Sequence, residues 1–120
     1  MVTILTELRL KEGAAHQWDA AMRERLDAAK SQPGWAGGQL LQPEHDSDKR
    51  VIVGTWRSRD DWEKWHEDPE FTRTRQELEG LITGPPHHAW HDVVMDGRPD
   101  RSSGAPTASR QRNRSRGQSE

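Results

Sequence analysis

The chain contains no cysteine, no tyrosine and a single phenylalanine among its 120 residues. Without cysteine there can be no disulfide, no thiolate nucleophile and no thiolate metal site. No apolar run reaches half the roughly 20 residues of a membrane-spanning helix, and the N-terminus lacks a basic region followed by an apolar one. Those two absences predict a cytoplasmic protein with no membrane partner. Clustered cations are missing as well, since residues 1–95 hold 12 Lys and Arg against 17 Asp and Glu, a net of −5. Nucleic-acid binding needs basic groups gathered on one face, so that partner class is set aside.

The end of the sequence lacks apolar anchors. Residues 96–120, DGRPDRSSGAPTASRQRNRSRGQSE, have no Leu, Ile, Val or aromatic side chain and carry 6 basic against 3 acidic groups. A segment of that composition cannot bury enough apolar surface to offset its ordering entropy. The expected organisation is one folded domain over residues 1–95 and a disordered Arg/Ser-rich tail over 96–120.

Tryptophan is what the chain does have. Three of its six, Trp56, Trp62 and Trp65, fall inside GTWRSRDDWEKWHEDPEF, residues 54–71. Around that stretch the hydrophobic period changes several times. Val2, Ile4, Thr6, Leu8 and Leu10 alternate with Thr3, Glu7 and Arg9, the pattern of a half-buried strand. From Ala14 to Ser31 the spacing of Ala15, Trp18, Met22, Leu26 and Ala29 is helical, and Pro33-Gly34 ends it. Residues 35–43 and 50–56 read as strands joined by a polar connection. Ser58 with Asp61 three positions on predicts an N-cap for a short helix from Arg59 to about His66. Asp68-Pro69 opens another helix to about Leu81. Gly84-Pro85-Pro86 is read as its stop, and residues 87–95 as a last strand. The order strand, helix, strand, strand, helix, strand predicts an α+β ferredoxin-like βαββαβ fold with a four-stranded antiparallel sheet, helices on one face, and a second copy covering the other.

PGWAGGQLL leading into a strand, followed by VIVGTWRSRDDWEKW and DPEF, resembles the antibiotic biosynthesis monooxygenase family of dimeric α/β barrels. The similarity spans residues 2–95 and rests on Pro33-Gly34, on Trp56, Ser58 and Trp62, and on Pro69 with Phe71. It implies a homodimer and a place among cofactor-free oxygenases of aromatic polyketides, quinone-modifying enzymes and haem degraders. By the same resemblance Trp65 matches a pocket-lining tryptophan, whereas Trp62 is assigned to packing. In the haem-degrading members an asparagine and a histidine accompany that tryptophan; those positions fall here on Thr6 and on Thr74 or Arg75. The iron would then lack its imidazole ligand. His66 is one residue from Trp65, about 100° round the helix, and is not expected to reach the same cavity. In HHAWH, His87 and His91 share a strand face about 13 Å apart with His88 on the other, so no metal site is expected.

The pocket so implied is walled by Trp65, Phe71, Trp18 and Met22, with Thr6, Arg73 or Arg75, and His91 as polar points. Such a site suits a substrate that supplies its own chemistry. The expected function is cofactor-independent monooxygenation of a small aromatic or polyketide-type substrate, anthrone-like or hydroquinone-like, with dioxygen. Trp65 would stack on the ring, Arg75 would hold the developing charge and His91 would act as base. The alternatives are a haem-binding monooxygenase and a non-catalytic dimer that binds a small ligand.

Overall fold

The computed structural model describes residues 1–97. The predicted tail, from residue 98 onward, lies outside the described residues. The elements run β1 (Val2–Leu10), α1 (Ala15–Ala29), β2 (Trp35–Leu41), β3 (Lys49–Trp56), α2 (Arg59–His66), α3 (Pro69–Glu79) and β4 (Ile82–Asp92). All neighbouring strands pair antiparallel in the order β2-β3-β1-β4. This is the ferredoxin-like split arrangement. Among the described residues no helix is long and apolar enough to cross a membrane.

Short local signals set the helix starts. The Ser58 hydroxyl accepts the Asp61 amide at 3.2 Å, and the Asp68 carboxylate accepts that of Glu70 at 2.8 Å with Pro69 in the first turn of α3. Each satisfies an amide that the helix cannot. Asp61 also ties α2 to the turn before β2. Its carboxylate accepts two bonds from Arg57, at 3.0 and 3.2 Å, and one from the Ser58 hydroxyl at 3.0 Å. The Arg57 guanidinium, chiefly, holds this carboxyl below the usual carboxylate range. Gly34 sits against it with φ of +86°, and a Cβ there would collide with the Asp61 carboxylate. The Pro33-Gly34 pair thus meets two demands, a left-handed turn and a close approach.

Strand register decides which side chains face the helices. One row across the sheet is Leu40, Ile52, Thr6 and His88; the next is Gly38, Gly54, Ile4 and Trp90. Residues between these rows, among them Thr3, Leu5, Val51, Val53 and His91, point to the opposite face. Arg50 fastens α1 to the sheet through two bonds to Asp19, at 2.9 and 3.0 Å. Such a paired fork fixes orientation as well as distance.

The structure corrects one expected boundary. β4 begins at Ile82, not at 87, and passes straight through Gly84-Pro85-Pro86. The pairing jumps from Arg9–Thr83 to Glu7–His87, so the extra β4 residues bulge out of the ladder. β4 is an edge strand, where prolines without an amide are tolerated, and Gly84 adopts φ of +71°.

Between helices and sheet the core falls into two clusters. One consists of Leu10, Trp18, Ala21, Met22 and Leu78. The other consists of Ala29, Trp56, Trp65 and Phe71, with Trp35 and Trp62 packed against it.

Candidate functional site

A cavity of about 250 Å³ is lined from both clusters. α1 contributes Trp18, Met22 and Arg25, and the sheet contributes Ile4, Thr6 and Gly54 as a floor. Trp62, Trp65 and His66 come from α2, and Phe71, Arg75 and Leu78 from α3. The exposed residues Arg75, Glu79, Pro86 and His88 mark its mouth.

The inner wall is made of rings held edge to face. Trp65, only 4% exposed, meets Phe71 at 5.6 Å with planes at 78°, and Trp35 meets Trp56 at 5.2 Å and 82°. A ring gripped by its edge keeps a face for another partner. Trp62 is only half-buried; it packs edge-on against Trp90 at 4.8 Å and also lines the cavity. This reverses the expected ranking, in which Trp62 was core and Trp65 the less confined. Trp65 lies toward Ala29 and Trp56 in the closed end of the layer, while Trp62 leans on the edge strand.

The polar groups stand on several elements. Thr6, 8% exposed, shares a hydrogen bond of 2.9 Å with His88 Nδ1 across the β1–β4 pair. His66 Nδ1 lies 2.9 Å from the Trp62 carbonyl, an arrangement in which Nδ1 donates and Nε2 keeps a lone pair. Its ring stacks 4.0 Å from that of Phe71 and 3.8 Å from that of Trp62. Burial, reinforced by the charges of Arg25 and Arg75, pushes His66 down to about 4. It is therefore neutral at pH 7. The Arg25 guanidinium covers the Phe71 ring at 3.7 Å and donates to Thr74 Oγ1 at 2.9 Å and to the Phe71 carbonyl at 3.0 Å. Burial first, and then Arg75, bring it down to about 10, with Glu79 opposing. Arg75 reaches the same ring at 5.3 Å.

Of the residues expected from sequence, Thr6, Trp18, Met22, Trp65, Phe71 and Arg75 meet at this cavity. Arg73 does not, because it stands about 200° round α3 from Arg75 and pairs with Glu70 at 3.0 Å on the surface. His91 does not either. It pairs with Thr3 on the sheet face turned away from the helices, while His88, in the row of Thr6, is at the mouth. His66 was expected to miss the cavity and lines it; the cavity is wide enough to take in both Trp65 and its neighbour. Arg25 was passed over, although its spacing from Met22 and Ala29 puts it on the apolar stripe of α1.

The position at which an imidazole ligand for haem was sought does not carry one. Thr74, one of the positions where the imidazole ligand was sought, is buried, donates its hydroxyl to the Phe71 carbonyl at 3.1 Å and accepts from Arg25. About 250 Å³ also falls below the roughly 300–1,000 Å³ that encloses a drug-sized ligand, and a porphyrin needs more. Among the described residues no group of three or more His, Asp or Glu is placed to hold a metal ion.

Comparison with known proteins identifies the family and the fold. The antibiotic biosynthesis monooxygenase family matches residues 1–77, a span that stops within α3 and leaves β4 out. Among solved structures, the chain superposes on SnoaB, a cofactor-independent oxygenase from Streptomyces nogalater, with a TM-score of 0.71 and 18% identity over 82% of this chain and 97% of that one. A chain from Nitrosomonas europaea gives 0.75 and 16% over 79% and 100%, and one from Mycobacterium tuberculosis gives 0.72 and 15% over 81% and 98%. At such identities the likeness is one of fold. No curated protein matches the sequence.

Proposed function

The chain belongs to the antibiotic biosynthesis monooxygenase family, and from that premise we propose that it is a cofactor-independent monooxygenase of a small aromatic hydroquinone-like or anthrone-like substrate. The observation that supports this reading is the aromatic wall, Trp65 and Phe71 above all, closing on a small apolar space with cationic groups beside it.

The chemistry asks little of the protein. A phenol or anthrone loses a proton, and the resulting anion is electron-rich enough to reduce dioxygen. One oxygen atom enters the ring system, the other leaves as water, and the substrate supplies all the electrons. Trp65 stacks on the ring, Arg75 faces the developing anion, and the aromatic wall keeps water out. The base role expected for His91 passes to His88, whose ring is fixed by Thr6 and whose exposure lets it hand the proton to solvent. Oxygen uptake with a panel of naphthohydroquinones and anthrones tests the reading. Turnover without added metal or cofactor, and its loss in Trp65→Ala, is the expected result; a catalytically silent protein that still binds the panel would favour the non-catalytic alternative. Absorbance during a haem titration checks the remaining one.

The working unit in this reading is a homodimer. The sheet face away from the helices carries Leu5, Val51, Val53, Ala89 and Leu41, and Leu41 is 42% exposed. An apolar face of this kind needs a cover, and the family resemblance points to a second copy. Sedimentation at micromolar concentration should show a dimer that Val53→Glu dissociates.

A further inference from the structure

Two arginines meet at one largely apolar cavity and, among the described residues, neither forms an ion pair there, although Glu79 stands at the mouth. Arg9, Arg50, Arg57, Arg59 and Arg73 each pair with a carboxylate. Arg25 and Arg75 pair with none among the described residues. An unpaired arginine on open surface, such as Arg23, means little. Arg25 is different, since it is half-buried against Phe71. Two of its five N–H groups serve α3, through Thr74 and the Phe71 carbonyl, and three remain.

Holding a cation out of water is costly unless something answers its charge. The acidic group nearest in effect is Glu79, at the mouth, which acts on Arg25 without forming an ion pair. His66 and His88, the imidazoles at the cavity, carry no negative charge in either protonation state. The charge is thus left for whatever occupies the cavity.

We propose that the ring ligand carries a carboxylate before any reaction begins, and that Arg25, with Arg75 at the mouth, binds that group while the ring lies along Trp65 and Phe71. This rests on the cavity being the ring-binding site. It goes further, because a charge that develops only during oxidation would not make the enzyme choose among resting substrates. A guanidinium fork matches a carboxylate in shape as well as charge. The substrate class becomes a hydroxylated aromatic acid in place of a neutral phenol.

The test is a pair of probes of one shape and different charge, 2-naphthoate and 2-naphthamide, titrated calorimetrically into the full chain at pH 7.5 and low salt. The expected result is at least tenfold tighter binding of the naphthoate. Arg25→Met should erase that preference, Arg25→Lys should keep part of it, Arg75→Gln should reduce it, and raised ionic strength should shrink it. A second readout needs no variant. Bound naphthoate should move the His66 ring titration, followed by NMR, to higher pH, because an anion placed between the two arginines opposes the field that keeps His66 neutral. Equal binding of the two probes with no movement of His66 would overturn the carboxylate subsite and leave ring binding standing. Absence of binding by either probe would overturn both. Should Arg25→Met fail to fold, judged by circular dichroism, the wild-type comparison and Arg75→Gln still decide.

Discussion

The two core clusters stand a few residues apart on the same helices and sheet, yet they are built from different materials. Leu10, Met22 and Leu78 fill one with flexible aliphatic groups around Trp18, whereas Trp56, Trp65 and Phe71 make the other a set of rings standing edge to face. Rings held edge to face can offer a face to a further partner, and Trp56, Trp65 and Phe71 all line the cavity. The contrast is one of degree: Trp18, Met22 and Leu78 of the aliphatic cluster also line the cavity while Leu10 and Ala21 stay behind it, whereas all four buried residues of the aromatic cluster face the space.

Truncation is the strongest way to break that contrast. Leu10, 2% exposed, does not line the cavity. Leu10→Ala should cost about 2–5 kcal/mol in denaturant melts and leave naphthyl-ligand affinity unchanged. Trp65→Ala should cost about 3–5 kcal/mol and abolish that affinity in the fraction that still folds. Trp62→Ala, on a half-buried ring, should cost roughly 1–2 kcal/mol and weaken binding part of the way. If Leu10→Ala weakens binding as much as Trp65→Ala, the division of labour fails.

The next effect is one of pH and sharpens the contrast, because His66 stacks on the aromatic side, against Phe71 and Trp62. His66 is pushed down to about 4 in the folded protein from its usual 6.5. Between those values the unfolded chain binds a proton that the folded one refuses. Stability is therefore full above pH 6.5, falls as pH drops toward 4, and gains no further loss from this group below that. Allowing for solvent screening, the fall should be about 1–3 kcal/mol. His66→Gln should flatten the slope and Leu10→Ala should not. Below pH 4 Asp61 extends the decline with the same sign, because protonation removes its bonds from Arg57.

Much of this is legible in the sequence, and the exceptions have physical causes. The period of β1 and the caps Ser58 and Asp68 were readable because they depend on a few neighbouring residues. The Gly84-Pro85-Pro86 segment misled because two prolines argue against a strand unless it lies at an edge and bulges, which is a fact about the whole sheet. Arg25 was hidden in plain view. A charge on the stripe of Trp18, Met22 and Ala29 conflicts with burial, and that conflict is itself a signal for a site. The parity of Arg73 and Arg75 could not be fixed without knowing how α3 rolls on α1. His91 and His88 differ only by which sheet face is covered, and β4's register settles that.

The smallest expected change in stability comes at Gly54, where space alone separates fold from ligand. Gly54 lies in the cavity floor beside Ile4, and a Cβ placed there would meet Trp56 Nε1 at 3.6 Å and Ile4 Cγ2 at 3.7 Å, ordinary contact distances. Its φ is not in the left-handed region, so alanine fits the strand without strain. Replacing glycine under those conditions reduces the freedom of the unfolded chain, typically by about 0.4–1 kcal/mol in favour of the fold. Gly54→Ala should then melt at the same temperature as the parent or slightly above it. The added methyl nevertheless occupies volume in a cavity of about 250 Å³ that Trp56, Trp65 and Phe71 also line. Affinity for the tighter of the two naphthyl probes should drop severalfold while stability holds or rises, the opposite pairing to Leu10→Ala. Unchanged affinity in a stable Gly54→Ala protein would mean that ligands do not descend to the sheet, and the aromatic wall would then be packing alone.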